Sequence, residues 1–207
     1  MSGTPIVIAL PGFTRGPGHL QRLADACNVA GFDCVRPALA PRWMPVLYME
    51  PTRLRRIAER LAARAGARSI VVAGHSAGAA AGCFLTVELQ ALGADVRGIV
   101  LIDGVDSPTH LVARCLPAVD GRVAAVLAPP SPCNRQGALA QYLAGCPEVR
   151  IEVIDGAGHG DIEGAGIGIY RRACGDTSDA DTADRFLAAT IDAIGWVHAG
   201  ASVAVSD

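Results

Sequence analysis

The chain has 207 residues, of which 51% are hydrophobic and 18% are charged, and its net charge at pH 7 is −2. This length and this share of apolar residues exclude a disordered chain and favour one globular domain over residues 1–207. No long block of like charge occurs, which argues against nucleic acid or an anionic membrane as a partner.

Apolar runs and stretches of helical periodicity alternate along the chain about six times. The first half predicts strands over 6–10 and 32–37, helices over 18–30 and 51–65, and an irregular segment over 38–50. The second half predicts strands over 70–73, 96–102, 122–127 and 149–154. It also predicts an Ala-rich helix ending at Gly93 and helices over 108–117, 136–145 and 181–197. A Gly-rich loop is expected over 162–178 and a flexible tail over 198–207. This alternation predicts a three-layer α/β/α sandwich around a mostly parallel sheet of about six strands.

Residues 70–87 are apolar enough to suggest a membrane span, but the sequence argues against one. His75 and Ser76 lie inside the segment, and three glycines interrupt its helical character. The N-terminus has no basic region before its first apolar run, so we expect no signal peptide and a cytoplasmic protein.

The seven cysteines are an odd number, and without a signal peptide we expect reduced thiols. Cys133, Cys146 and Cys174 fall in loop-like segments, which leaves one disulfide among them open. No pair of cysteines or histidines has the spacing of a zinc site, so no metal and no cofactor is expected.

The stretch Gly74-His75-Ser76-Ala77-Gly78 is a G-x-S-x-G motif between a β-branched run and an Ala-rich run. A strand, a tight turn with Ser at its tip and a helix form the context that a nucleophile elbow requires. Glycines on either side allow the strand and helix backbones to pass closely while the serine is projected from a strained turn. The sequence therefore predicts that Ser76 is a nucleophile.

A serine hydroxyl needs a base beside it and an acid to orient that base. His159 follows the last predicted strand among small residues, and it is the histidine best placed to reach Ser76. For the acid, Asp103 directly ends its strand, whereas Asp106 lies three residues later and could cap the next helix. We favour Asp103 and keep Asp106 as the alternative, while Asn134 is the nearest substitute after the following strand.

An oxyanion hole needs two preorganised N–H donors. The backbone N–H of Ala77, after the nucleophile, and that of Phe13, in the loop after the first strand, are the expected donors. In the irregular segment over 38–50, the side chains of Trp43, Met44 and Tyr48 either pack on the domain or line a cleft for an apolar substrate group.

Nearly the whole chain resembles the α/β-hydrolase superfamily, and its second half resembles the chlorophyllase-like branch of serine esterases. Ile102 to Asp106 is similar to that branch's I-D-P-V-D, whose first Asp is the triad acid, and Gly158 to Asp161 is similar to its G-H-x-D. Pro11-Gly12-Phe13 resembles its H-G-F oxyanion loop, and Pro129-Pro130 with Cys133 resembles its P-P-C-A-P loop. The elbow reads Gly-His-Ser-Ala-Gly-Ala instead of G-H-S-R-G-G, so the resemblance implies fold and triad but no particular substrate.

These patterns together predict a serine hydrolase that cleaves a small or medium, fairly apolar carboxylic ester through an acyl-enzyme on Ser76. Its partner would be a small-molecule ester; its oligomeric state is left open. Thioesters and lactones are cleaved by the same chemistry. The altered elbow flank also keeps open a ligand-binding protein, or one catalysing acyl transfer or cyclisation.

Overall fold

The computed structural model describes residues 3–40, 44–164, 171 and 174–200, with residues 45 and 46 described by their backbone alone. The described residues form a six-stranded, entirely parallel sheet in the order β2-β1-β3-β4-β5-β6. The strands are β1 (Ile6–Leu10), β2 (Asp33–Val35), β3 (Ile70–His75), β4 (Val96–Ile102), β5 (Arg122–Leu127) and β6 (Val149–Val153).

Helices cover both faces of this sheet. They are α1 (Gln21–Val29), α2 (Pro51–Ala65), α3 (Ala77–Ala91), α4 (Leu111–Cys115), α5 (Ala140–Leu143) and α6 (Ala180–His198). The helices α2, α3, α4 and α5 share one apolar core with the sheet, and α1 and α6 share the other. The predicted three-layer α/β/α sandwich is therefore confirmed.

The central strands are continuous apolar runs because both of their faces are covered. In β1, Ile6, Ile8 and Leu10 point into the core under α2 and α3, while Val7 and Ala9 point into the core under α1 and α6. All five residues are almost inaccessible to solvent. Such runs without polar alternation are typical of parallel strands buried on both faces.

Several helix boundaries differ from those predicted. The first helix opens with a 3-10 turn at Pro17–Leu20 before α1 begins. The helix predicted over 136–145 is reduced to a 3-10 turn at Arg135–Gly137 and the single turn of α5, because Gln136 has a left-handed backbone with φ of 59°. The helix α6 runs to His198, whose ring hydrogen-bonds Ser69, so the segment predicted as a tail begins inside this helix; residues 201–207 lie outside the described residues.

A disulfide joins Cys133, in the loop after β5, to Cys174, in the segment before α6, with their Cα atoms 5.0 Å apart. Of the three loop cysteines, Cys146 is the free one. The pairing departs from the expectation of uniformly reduced thiols. Because disulfides persist mainly in oxidising compartments, it lends no support to the expected cytoplasmic location.

Within the part of the chain that the structure describes, every helix is too short or too polar to cross a lipid bilayer.

Candidate active site

Ser76 lies between the end of β3 and the start of α3 with φ of 54° and ψ of −126°, a strained backbone for a residue with a side chain. Its amide donates to the Ile102 carbonyl at 3.0 Å, which fixes the turn against β4. Close approach requires glycine on both sides. A Cβ on Gly74 would lie 2.3 Å from the Gly78 carbonyl oxygen, and one on Gly78 would lie 2.4 Å from the Leu10 carbonyl oxygen.

Ser76, His159 and Asp103 form one hydrogen-bonded chain. The Oγ of Ser76 is 2.9 Å from Nε2 of His159, and Nδ1 of His159 is 2.5 Å from Oδ2 of Asp103. With the proton of the imidazole on Nδ1, the ring donates to Asp103 and accepts from Ser76. In this arrangement the imidazole can withdraw the hydroxyl proton while the carboxylate keeps the ring in the required tautomer.

Asp103 is held rigidly at the end of β4. Its carboxylate is fully buried, and Oδ1 accepts from the Ala128 amide at 3.1 Å and from Nδ2 of Asn134 at 3.0 Å. Its backbone is also left-handed, with φ of 39°. The two bonds to Oδ1 leave Oδ2 directed at His159. Ser76 and Asp103, two of the three hydrogen-bonded residues, therefore have strained backbones.

Asp106, the alternative acid, has a different set of partners. Its Oδ1 accepts from the amides of Ser107 at 2.7 Å and Val112 at 2.8 Å, and the Ser107 hydroxyl accepts from the Leu111 amide at 3.0 Å. These contacts satisfy backbone donors of the first turn of α4. The structure thus brings Asp103 to His159 and uses Asp106 as a helix cap.

The loop after β1 lies directly against the elbow. The Gly12 amide donates to Oε1 of Glu163 at 2.6 Å, so this N–H is not free to bind a substrate oxygen. The amides of Phe13 and Ala77 have no protein acceptor among the described residues. They remain the two candidate oxyanion donors, and their role stays a prediction.

A buried pair of oppositely titrating side chains, His75 and Glu163, lies beside Ser76, His159 and Asp103. His75 and Glu163 each have a side chain about 3% exposed, and Nδ1 of His75 is 3.1 Å from Oε1 of Glu163, although the two atoms are not aligned as a hydrogen bond. The other ring nitrogen of His75, Nε2, donates to the carbonyl of His159 at 2.8 Å. Arg15 approaches the far side of Glu163, with its Nε 3.7 Å from Oε2.

The pKa values of this pair move in opposite directions. Burial disfavours the charged ring of His75, but the negative charges of Glu163 and Asp103 and the His159 carbonyl outweigh burial and raise the pKa of His75. Burial likewise acts to raise the pKa of Glu163, but the charge of His75, the Gly12 amide and Arg15 lower it overall. Both shifts favour the charged forms.

Asp161 fastens the loop that carries His159. One oxygen of its buried carboxylate accepts from the Gly158 amide at 2.9 Å and from the Ser178 hydroxyl at 2.7 Å, and the other accepts from the Ser178 amide at 2.8 Å. These bonds close the turn around His159 and tie it to the segment before α6. His159 is therefore held from both sides, by Asp161 in its own loop and by His75 from the elbow.

Two adjoining cavities open at this end of the sheet. The smaller, about 210 Å³, is lined by Ser76, Ala77 and His159, and also by the disulfide cysteines. The larger, about 1350 Å³, shares Arg15, Glu163 and Gly164 with it. The cavity beside Ser76 therefore adjoins a wider one, with Arg15, Glu163 and Gly164 between them.

Among the residues expected to contact a substrate, Tyr48 is buried and lines the larger cavity. Its hydroxyl donates to the Pro11 carbonyl, and its ring meets that of Phe13 edge-on at 5.7 Å, so it also supports the loop after β1. Burial, followed by the charge of Glu163, raises the pKa of Tyr48. Met44 is half-buried, and Trp43 lies outside the described residues.

Within the described residues, no cluster of three or more His, Cys, Asp or Glu side chains has the arrangement of a metal site.

Solved structures of α/β hydrolases share this fold. Dienelactone hydrolase from Anabaena variabilis is 14% identical in sequence and superposes with a TM-score of 0.69; the match covers 94% of this chain and 87% of the dienelactone hydrolase chain. The RedJ thioesterase of the prodiginine pathway in Streptomyces coelicolor is 11% identical with a TM-score of 0.65, covering 92% and 90%. A metagenome-derived lipolytic enzyme is 15% identical with a TM-score of 0.62, covering 95% of both chains. The chain therefore has the α/β-hydrolase fold.

No family model matches the chain, and no curated protein matches it. The neighbours share the fold that the sequence resemblance implies, whereas the chlorophyllase-like branch rests on the sequence motifs alone.

Sequence reasoning missed the partners of the three central residues. The sequence patterns give neither His75 nor Glu163 a role in the site, although the structure places these two side chains together. The run Gly-His-Gly-Asp over 158–161 held a usable signal for Asp161 alone, because an Asp three residues after a glycine in a tight loop can accept a backbone amide of its own turn.

Proposed function

We propose that this protein is a serine hydrolase that cleaves a carboxylic ester through an acyl-enzyme on Ser76. The observation that carries the proposal is the row of hydrogen bonds from Ser76 through His159 to the buried Asp103, with the Ser76 side chain lining a cavity. The fold supports it, because in parallel α/β sheets reactive groups gather at the carboxyl ends of the strands.

In the first half-reaction, Ser76 Oγ bonds to the ester carbonyl carbon while His159 Nε2 takes the hydroxyl proton. The carbonyl oxygen becomes an oxyanion, which the amides of Phe13 and Ala77 would bind. The tetrahedral intermediate collapses, the ester C–O bond breaks, and His159 returns the proton to the leaving alcohol. Asp103 stays ionised and stabilises the imidazolium.

In the second half-reaction, water enters the space that the alcohol vacates. His159 takes one proton from the water as its oxygen bonds to the acyl carbon, and gives that proton back to Ser76 as the acid leaves. The small cavity beside Ser76 suits the reacting carbonyl, and the wider groove beyond Arg15 suits the remainder of the substrate.

The test is the turnover of p-nitrophenyl esters of graded acyl length by the wild-type protein and by Ser76→Ala, together with fluorophosphonate labelling. We expect the wild type to hydrolyse short and medium acyl esters and to be labelled on Ser76, and the variant to lose both activities. If the wild type shows neither turnover nor label, or if Ser76→Ala retains full turnover, the proposal is wrong.

A thioester and a lactone added to the same panel decide the leaving group. The reason to include them is that two fold neighbours are named as a dienelactone hydrolase and a thioesterase. Retained conversion of a natural ligand by Ser76→Ala would instead favour a ligand-binding or non-hydrolytic role.

A further inference from the structure

Three segments that are distant in sequence meet at one buried carboxylate and one buried imidazole. Glu163 accepts the Gly12 amide from the loop after β1, and it also faces His75 at the end of β3. His75 in turn donates to the carbonyl of His159. The contacts therefore connect the oxyanion loop, the nucleophile elbow and the loop of the proposed base.

The hydrogen-bond geometry indicates the charge of His75. Its Nε2 faces a carbonyl oxygen and must carry a proton to bond it. Its Nδ1 lies 3.1 Å from Oε1 of Glu163, the oxygen that also accepts the Gly12 amide, and a backbone N–H donor favours the ionised form of a carboxylate. At this separation a neutral Nδ1 offers no positive charge to the carboxylate oxygen, whereas a protonated ring does, so the contact is favourable when both ring nitrogens are protonated.

The position of Gly12 shows why this pair matters for the reaction. A Cβ on Gly12 would lie 3.2 Å from both Ser76 Cβ and Glu163 Oε2, so this residue fits between the nucleophile and the carboxylate. The next residue in the chain, Phe13, supplies the proposed oxyanion donor. A displacement of the Gly12 amide would therefore turn the Phe13 amide away from the substrate.

We propose that His75 and Glu163 are a charged positioning pair that sets the oxyanion loop and the His159 loop relative to Ser76. The inference rests on the function proposed above and adds two residues to it. Neither residue touches the reacting atoms. The pair fixes the positions of the groups that touch them, which are Ser76, His159 and the Phe13 amide. A misplacement of about 1 Å in such groups can lower the rate about 100-fold.

Other groups face the pair from every side. The charge of Asp103, at the end of β4, raises the pKa of His75. His159 faces His75 with its carbonyl oxygen and with its imidazole, whose ring centre is 4.9 Å from that of His75. Arg15 acts on Glu163 from the loop after β1, and the neutral phenol of Tyr48 lies on the same side. When His75 is protonated, the two carboxylates Glu163 and Asp103 face the two cations His75 and Arg15.

The kinetic test uses Glu163→Gln, which keeps an oxygen for the Gly12 amide but removes the charge. The matched control is Glu152→Gln on β6, where a half-exposed carboxylate pairs with Arg150 far from Ser76. We expect Glu163→Gln to lower kcat and the rate of fluorophosphonate labelling about 10- to 100-fold with little change in KM. We expect the control to match the wild type.

The second readout is the protonation state of His75, which a merely structural role would not fix. Nitrogen-15 NMR of the imidazole, assigned with His75→Gln, should show both nitrogens protonated at pH 7 in the wild type and one in Glu163→Gln. The wild-type labelling rate should fall at alkaline pH together with the titration of His75. The titration itself is measured on the wild type, and a variant is used only to assign the His75 signal.

The inference is wrong if His75 is neutral in the wild type at pH 7, or if Glu163→Gln labels at the wild-type rate. Full labelling of Glu163→Gln leaves the proposed hydrolase function standing. A wild type that neither cleaves esters nor labels ends both proposals, so the two failures are distinguishable.

Discussion

Asn134 donates a hydrogen bond from Nδ2 to Oδ1 of Asp103 at 3.0 Å, and its own Oδ1 accepts from the amides of Ser131 and Gly137. The side chain thus joins the turn after β5 to the carboxylate after β4. The sequence offered Asn134 only as a substitute for an acid. In the structure it orients the acid, leaving the other oxygen of Asp103 to His159.

Asp103→Asn should lower kcat by roughly 10⁴-fold with little change in stability. An amide in this place can donate to His159 and so favours the wrong tautomer, which is the effect of the equivalent change in a serine protease. Steady-state ester hydrolysis with parallel thermal unfolding is the measurement.

Asn134→Ala should have a milder effect, a fall of about tenfold in kcat and a loss of about 1.5–3 kcal/mol in the free energy of unfolding, because Asp103 loses a donor. Equal losses of activity in the two variants would contradict this ranking.

Asp106→Ala should leave kcat within a few-fold of the wild type and lower the free energy of unfolding by about 1–2 kcal/mol. The reason is that Asp106 caps the first turn of α4 and does not contact His159. Denaturant unfolding and ester turnover measure the two effects. If Asp106→Ala loses as much activity as Asp103→Asn, the assignment of the acid is wrong.

Removal of the disulfide between Cys133 and Cys174 should lower the free energy of unfolding by about 4 kcal/mol, the chain-entropy value for its sequence separation of 41 residues. Because both cysteines line the cavity beside Ser76, KM should rise as well. The variants are Cys133→Ser with Cys174→Ser, and the control is Cys146→Ser, which removes a free thiol. Alkylation of the unfolded protein should count five thiols before reduction and seven after it. Seven thiols before reduction would show that the bond does not form.

The stability contributed by His75 and Glu163 should depend on pH in a defined window. The pKa of His75 is raised on folding, so its contribution is complete below about pH 6.5 and is lost as pH rises through the raised value. The pKa of Glu163 is lowered, so its contribution is complete above about pH 4.3 and is lost as pH falls through the lowered value. The pair therefore stabilises most between about pH 4.3 and 6.5.

The measurement is the free energy of unfolding of the wild type minus that of Glu163→Gln, taken from pH 4 to 9. The difference should be largest in that window and should shrink toward alkaline pH, because His75 then loses its proton and the buried carboxylate of Glu163 loses one of its two neighbouring cations. The same difference for the control Glu152→Gln should show no such maximum, because Glu152 is half-exposed on β6 and pairs with Arg150 instead of a histidine. A level difference for Glu163→Gln would show that the pair is not charged.

The sequence by itself determined the layers of the fold and the three residues at the carboxyl ends of β3, β4 and β6. Continuous apolar runs mark strands covered on both faces, and strand ends in a parallel sheet meet at one edge. Ser76 and Asp103 directly follow such runs, and His159 lies in the loop six residues after the edge strand β6, so their meeting depends on local pattern and sheet direction. This information is present in the order of residues along the chain.

Only the tertiary structure decided which neighbours serve these residues. The choice between Asp103 and Asp106 depends on whether a carboxylate turns to His159 or to the first turn of α4, which sequence spacing does not specify. The pairing of His75 with Glu163, and that of Cys133 with Cys174, join positions far apart in the chain. Such contacts depend on how loops pack over the sheet edge, and loop packing follows from the whole set of surrounding side chains and not from a local period.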